Sequence, residues 1–202
     1  MKGLLLKDIY TLTKQVRIFL IMIICFSLTP NASMTAFAIC YSAILPITAL
    51  AYDERSKWDK LAMMMPYSVK ELVFSKYLLG YLCMLVASIL SMIGKIAFAL
   101  IRHENMIEAL IPILPLFCVG VLLQSLNFPF MFRFGVEKGR ILYLGTTVII
   151  VVCGLFLFQL VEDKISYIME HGILYVVIFT LFTIISAIVS VLISIKGYQN
   201  KE

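Results

Sequence analysis

Apolar runs long enough to cross a bilayer recur along this chain, separated by connections too short to fold on their own. Crossing a hydrocarbon core takes about 20 apolar residues in a helix. Six segments read as spans: 16–28, 34–52, 77–101, 107–132, 141–160 and 173–195. The first is short, and we expect it to take length from the helix before it, with Lys14 and Arg17 snorkelling to the headgroups. Thr29-Pro30-Asn31-Ala32-Ser33 then turns the chain into a tight hairpin. Of the 202 residues, 62% are hydrophobic and 14% charged. Soluble domains run nearer half and a quarter, so lipid is the solvent for most of this surface. The expected fold is an all-α integral membrane protein of one transmembrane domain over 1–202. The charged N-terminus resembles the start of a signal peptide, but no clear cleavage site follows and further spans come after it.

Charge sets the orientation. With the N-terminus inside, Lys2, Lys7, Lys14, Arg17, Arg55, Lys57, Lys60, Lys70, Lys76, Arg133, Lys138, Arg140, Lys196 and Lys201 are cytoplasmic, 14 of the 17 basic residues. Arg102 and Lys164 lie outside and Lys95 within a span. A bias this lopsided predicts both termini inside.

Catalysis has no visible residues here. The sequence contains no GxxxxGK[ST], GxGxxG or HExxH, and its two histidines, His103 and His171, both fall near the outer surface. Cys25, Cys40, Cys83, Cys118 and Cys153 sit in apolar stretches without CxxC spacing, as small hydrophobes rather than metal ligands. We expect no metal, no cofactor in this chain and no nucleic-acid partner.

Three regions rise above this background. In 1–15, Leu5, Ile9 and Leu12, continued by Val16, form an apolar stripe opposite Lys7, Thr11 and Lys14. That pattern suits an interfacial helix, or a charged leader that only sets topology. In the loop 53–76, Trp58, Leu61, Ala62 and Met65 fall on one helical face, Asp59 and Lys60 on the other, and Pro66 stops the helix. Such a helix either docks in a partner's groove with Trp58 as anchor, or rests on headgroups; the pattern alone does not choose. Ser68-Val69-Lys70-Glu71 reads as a capping box for the next helix. The third region is polar and lies inside spans. Lys95 either snorkels outward or faces a cavity, where Glu108 is a potential partner. Pro112, Pro115, Gly120 and Pro129 bend or break the fourth span, and Gln124 and Asn127 on its inner half are candidates for a translocation path.

The opening Met1-Lys2-Gly3-Leu4-Leu5-Leu6-Lys7-Asp8, the block Ala51-Tyr52-Asp53-Glu54-Arg55-Ser56-Lys57-Trp58-Asp59-Lys60, Ser75-Lys76-Tyr77-Leu78-Leu79-Gly80 and Phe134-Gly135-Val136-Glu137-Lys138-Gly139-Arg140 together resemble ABC-2 type transporter permeases. Among these, the permeases of phenol-soluble-modulin exporters are similar. The resemblance covers essentially the whole chain. It implies six spans, an N-terminal elbow helix (1–15) and a coupling helix (55–65) that docks on a separately encoded ATP-binding subunit. Glu54, Arg55, Trp58, Leu61, Ala62 and Met65 would then make that contact. It also implies two permease subunits per transporter, identical or similar, in a bacterial cytoplasmic membrane, with ATP and magnesium bound only by the partner. This sequence departs from larger relatives in its short first span and its brief outer connection, 161–171.

The expectation is therefore the permease subunit of an ABC exporter, with no enzymatic site of its own. A largely apolar path suits amphipathic or hydrophobic cargo, peptides included. A stand-alone carrier or channel is the alternative, although ion-coupled carriers generally need intramembrane acids. A non-transporting anchor or immunity protein is a third.

Overall fold

A computed structural model describes residues 2–15, 17–29, 31–103, 105–142, 145 and 172–199. Among them every regular element is a helix: α1 Lys2–Gln15, α2 Arg17–Ser27, α3 Ala32–Arg55, α4 Trp58–Met63, α5 Val69–Arg102, α6 Met106–Leu110, α7 Ile113–Phe134 and, after a helical stretch at 136–142, α8 Gly172–Gln199.

Four of these are long and apolar enough to cross a membrane, over Ser33–Arg55, Val69–Arg102, Ile113–Phe134 and Val176–Gln199. The predicted first span does not qualify. α2 has 11 residues, about 17 Å at 1.5 Å per residue, roughly half a hydrocarbon core. The fourth predicted span is broken, as its prolines suggested: α6 ends at Leu110 and α7 starts after Pro112. The fifth, 141–160, falls outside the described residues except at 141, 142 and 145.

α5 is the mast of the bundle. Its 34 residues begin well before the predicted span, because the capping box does form. Ser68 Oγ accepts the Glu71 amide at 3.3 Å, and Glu71 Oε2 accepts the Ser68 amide at 3.0 Å. Only residues 56–68 therefore connect α3 to α5, and α4 is a single short helix within them.

Two apolar cores flank this mast. One joins α1, α2, α3 and α5 through Leu12, Ile23, Leu45, Leu79 and Ala87. The other joins α3, α5, α7 and α8 through Ile47, Val73, Tyr77, Phe128, Phe132 and Tyr198. Tyr77 meets Phe128 edge-on at 4.5 Å between ring centroids, the geometry that aromatic quadrupoles favour. Between the helices runs a seam of hydroxyls. Tyr77 Oη bonds Ser190 Oγ at 2.5 Å and Ser194 Oγ at 2.8 Å. Ser190 Oγ also lies 2.5 Å from the Ser125 carbonyl oxygen. Away from these cores, apolar side chains such as Leu181, Phe182, Ile185 and Leu192 of α8 stand exposed, as a lipid-facing surface requires.

Candidate functional site

The α4 end of the bundle gathers four ionisable side chains into a closed network. Asp53, in the last turn of α3, receives Lys7 Nζ on Oδ1 at 2.6 Å and Lys76 Nζ on Oδ2 at 2.5 Å. Lys76 also donates to Asp8 Oδ1 at 2.7 Å, and Lys7 lies 3.2 Å from the same oxygen. Asp8, Lys76 and Asp53 are only 1%, 6% and 8% exposed. Charges taken out of water need matching geometry to offset their desolvation, and here two cations face two anions. A cavity of about 20 Å³ adjoins Asp8, Asp53, Ser75 and Lys76, space enough for one water.

This network ties α1, α3 and α5 together, and α4 is fastened to it. The Trp58 ring sits 4.2 Å from Lys7 Nζ, a cation–π contact. Ser56 Oγ donates to the Asp53 carbonyl at 3.2 Å. Lys57 turns the chain through a left-handed conformation, φ 54°, so that α4 starts in a new direction. The neighbouring carboxylate works outward: Glu54 Oε2 accepts the Val136 amide at 2.7 Å and so holds the start of the 136–142 helix. Gly135 makes that approach possible. Its φ is +81°, and a Cβ there would lie 2.7 Å from Glu54 Oε1. Each polar residue of the Asp53-Glu54-x-Ser56-x-Trp58 block therefore forms a joint to another element or braces its own turn.

The single apolar face expected for this loop divides in two. Trp58 is half-buried and Ala62 fully buried against the bundle, while Leu61 and Met65 stand exposed with Met64, which is 82% exposed. A coupling helix over 55–65 is also too long: α4 covers Trp58–Met63, and Arg55 closes α3. Arg55 is exposed. The side chains of Asp59 and Lys60 lie outside the described residues.

In 1–15 the expected stripe is rotated. Leu4, Asp8 and Leu12 face inward, whereas Ile9 is exposed and Leu5 half-buried. Lys7, assigned to the polar side, reaches Asp53. Sequence reasoning missed Asp8, Lys7, Asp53 and Lys76 as a unit. One signal was present: Asp8 sits at i+3 from Leu5 and i−4 from Leu12, an acid on an apolar stripe.

The three path candidates are each buried among the described residues. Lys95 does not snorkel; it is 3% exposed, beside Gly94, which packs against the backbone of Leu28. The Glu108 side chain lies outside the described residues. Gln124 is fully buried and donates to the Tyr77 carbonyl at 3.1 Å, filling the notch left by Gly80. Asn127 is equally buried in the α7 packing. A cavity of about 540 Å³ between α5, α7 and α8 is lined by Tyr81, Phe117, Cys118 and Thr183 among others, and by none of these three. No group of His, Cys, Asp and Glu among the described residues is arranged to hold a metal.

Compared with known proteins, residues 3–199 match the model of a family described as ABC-2 family transporter protein. No curated protein and no solved structure matches the chain.

Proposed function

The chain belongs to the ABC-2 transporter family, and from that premise we propose that it is the permease subunit of an ATP-driven exporter of amphipathic or hydrophobic cargo. It is a multi-pass membrane protein, with four qualifying helices among the described residues. In this reading α2 and the 141–160 segment complete six spans, both termini are cytoplasmic, and the membrane is the bacterial cytoplasmic one. Two such subunits, identical or similar, pair with separately encoded ATP-binding subunits that carry ATP and magnesium. The permease itself hydrolyses nothing.

The observation that carries the reading is the junction beneath α4. A short helix with outer side chains exposed and its inner Trp58 against the ionic network that joins α1, α3 and α5 suits a part that receives force and passes it on. Leu61, Met64 and Met65 then enter an apolar groove of the ATP-binding subunit, a helix-in-groove contact. Trp58 and Ala62 face the other way and hand the motion to α1, α3 and α5. Glu54 carries it on to the 136–142 helix.

Co-purification tests this. Permease expressed with its ATP-binding subunit should retain that subunit in equal amount, and Met64→Asp with Met65→Asp should release it while the permease stays folded. Full retention by that double variant, with transport intact, would remove α4 from the mechanism.

A further inference from the structure

At the α4 end most of the described acidic side chains are engaged within the chain. Asp8 and Asp53 hold Lys7 and Lys76, Glu54 holds the Val136 amide and Glu71 holds Ser68; Glu137 is the exposed exception. The cations around them are placed differently. Arg55, Lys57, Lys70, Arg133, Lys138 and Arg140 are all exposed, and none forms an ion pair among the described residues. Among the described side chains these six exposed cations outnumber the exposed carboxylates of Glu54 and Glu137, so the face around α4 is basic, although the network inside it is neutral.

Into this face opens a cleft of about 430 Å³, walled by Lys7 and Thr11 of α1, by Tyr52, Asp53 and Arg55 of α3, and by Trp58. Lys7 is matched by Asp53 and Asp8. Arg55 is the cation in the cleft that forms no ion pair among the described residues. Its guanidinium offers a planar fork of donors, shaped for a carboxylate.

We propose that this cleft receives an acidic side chain of the ATP-binding subunit, and that the partner's surface around it is acidic. The inference rests on the permease reading above and adds a second, charge-based contact beside the Leu61, Met64 and Met65 knob. The apolar knob supplies burial; the cleft supplies register, because a carboxylate seated on Arg55 sets how α4 lies in its groove.

The test is the affinity of the ATP-binding subunit for the full-length permease in nanodiscs, at low and at high salt. Arg55→Glu should weaken binding by at least about tenfold, a loss that shrinks as salt screens the contact. Arg55→Lys, which keeps the charge and loses the fork, should fall between. Lys138→Glu, exposed but outside the lining of the cleft, should cost about two- to threefold and act mainly on the association rate. Binding of Arg55→Glu within twofold of the unaltered protein, with its fold intact by thermal unfolding, would overturn the proposal. So would normal binding combined with loss of retained phosphatidylglycerol in native mass spectrometry, which would assign the cleft to a lipid phosphate. Absence of any ATP-binding subunit from the unaltered preparation would instead sink the permease reading, and the cleft with it.

Discussion

Two polar clusters hold this bundle, and they are built from different chemistry. The junction at the α4 end is ionic, with Lys7, Asp8, Asp53 and Lys76 in one network. The seam between α5, α7 and α8 is neutral, a set of hydroxyls from Tyr77, Ser125, Ser190 and Ser194. The two stand at one level of α5, where Lys76 and Tyr77 are adjacent, and differ in the neighbours each meets: Lys76 reaches Asp8 of α1 and Asp53 of α3, whereas Tyr77 reaches Ser190 and Ser194 of α8 and the Phe128 ring of α7. A buried charge needs a charged partner, whereas a hydroxyl is satisfied by another hydroxyl or a carbonyl. An ionic joint is also all-or-none, because losing one member leaves the others charged and buried. A hydroxyl joint loosens by degrees.

Removing Asp53 tests the first half of this comparison and should have the largest effect. Asp53→Ala leaves both Lys7 and Lys76 without one of their two carboxylates, and breaking a buried network costs about 3–5 kcal/mol. Trp58 is the only tryptophan, and it stacks on Lys7, so its fluorescence reports the junction alone. Asp53→Ala should shift that emission and lower the thermal midpoint together. An unchanged midpoint would show that the network does not hold the helices.

Gly80→Ala should come next, at about 1–3 kcal/mol. The new Cβ would lie 2.5 Å from the Gln124 amide, which is buried and cannot swing away without losing the Tyr77 carbonyl. Combining it with Gln124→Ala should cost less than the sum of the two, since the double variant removes the clash. Strict additivity in thermal unfolding would mean the two do not share a site.

Tyr77→Phe probes the seam at its centre and should cost about 1–2 kcal/mol. It removes one hydroxyl that serves two serines, yet Ser190 keeps the Ser125 carbonyl. A loss as large as that of Asp53→Ala would erase the contrast between the clusters.

The sequence made the membrane class, the α5 capping box and the broken fourth segment legible, because each is written in neighbouring residues. The junction was not legible in the same way. Lys7 and Asp53 are 46 residues apart and Lys76 and Asp8 are 68 apart, and no local pattern pairs them. Lys7 and Lys76 read instead as orienting charges. The face of α4 was misread for a different reason. Six residues make fewer than two turns, so the left-handed Lys57 sets which side faces the bundle more than periodicity does. The sequence left Lys95 open between the interface and a cavity because snorkelling depends on what surrounds the helix, and its surroundings come from α2 and the rest of the fold.

The smallest effect on binding should come from Trp58, the residue that a reading of the loop as one apolar face makes the anchor. An anchor in the partner's groove would cost about 2 kcal/mol or more on truncation, roughly a 30-fold loss of affinity. The ring lies instead against Lys7, on the bundle side of α4. Trp58 also walls the Arg55 cleft, but the guanidinium and not the ring would hold the incoming carboxylate, so Trp58→Ala should leave the ATP-binding subunit bound within about twofold, while Leu61→Ala, on the exposed side, weakens it more. What Trp58→Ala should lose is about 1 kcal/mol of cation–π and packing energy in the permease itself, and with it the tight relation between hydrolysis and transport. Trp58→Phe keeps a ring over Lys7 and should restore most of both. The deciding measurement is the ratio of cargo moved to ATP hydrolysed, taken alongside affinity. Loss of binding in Trp58→Ala with an unchanged ratio in the complexes that remain would put the tryptophan back in the partner's groove.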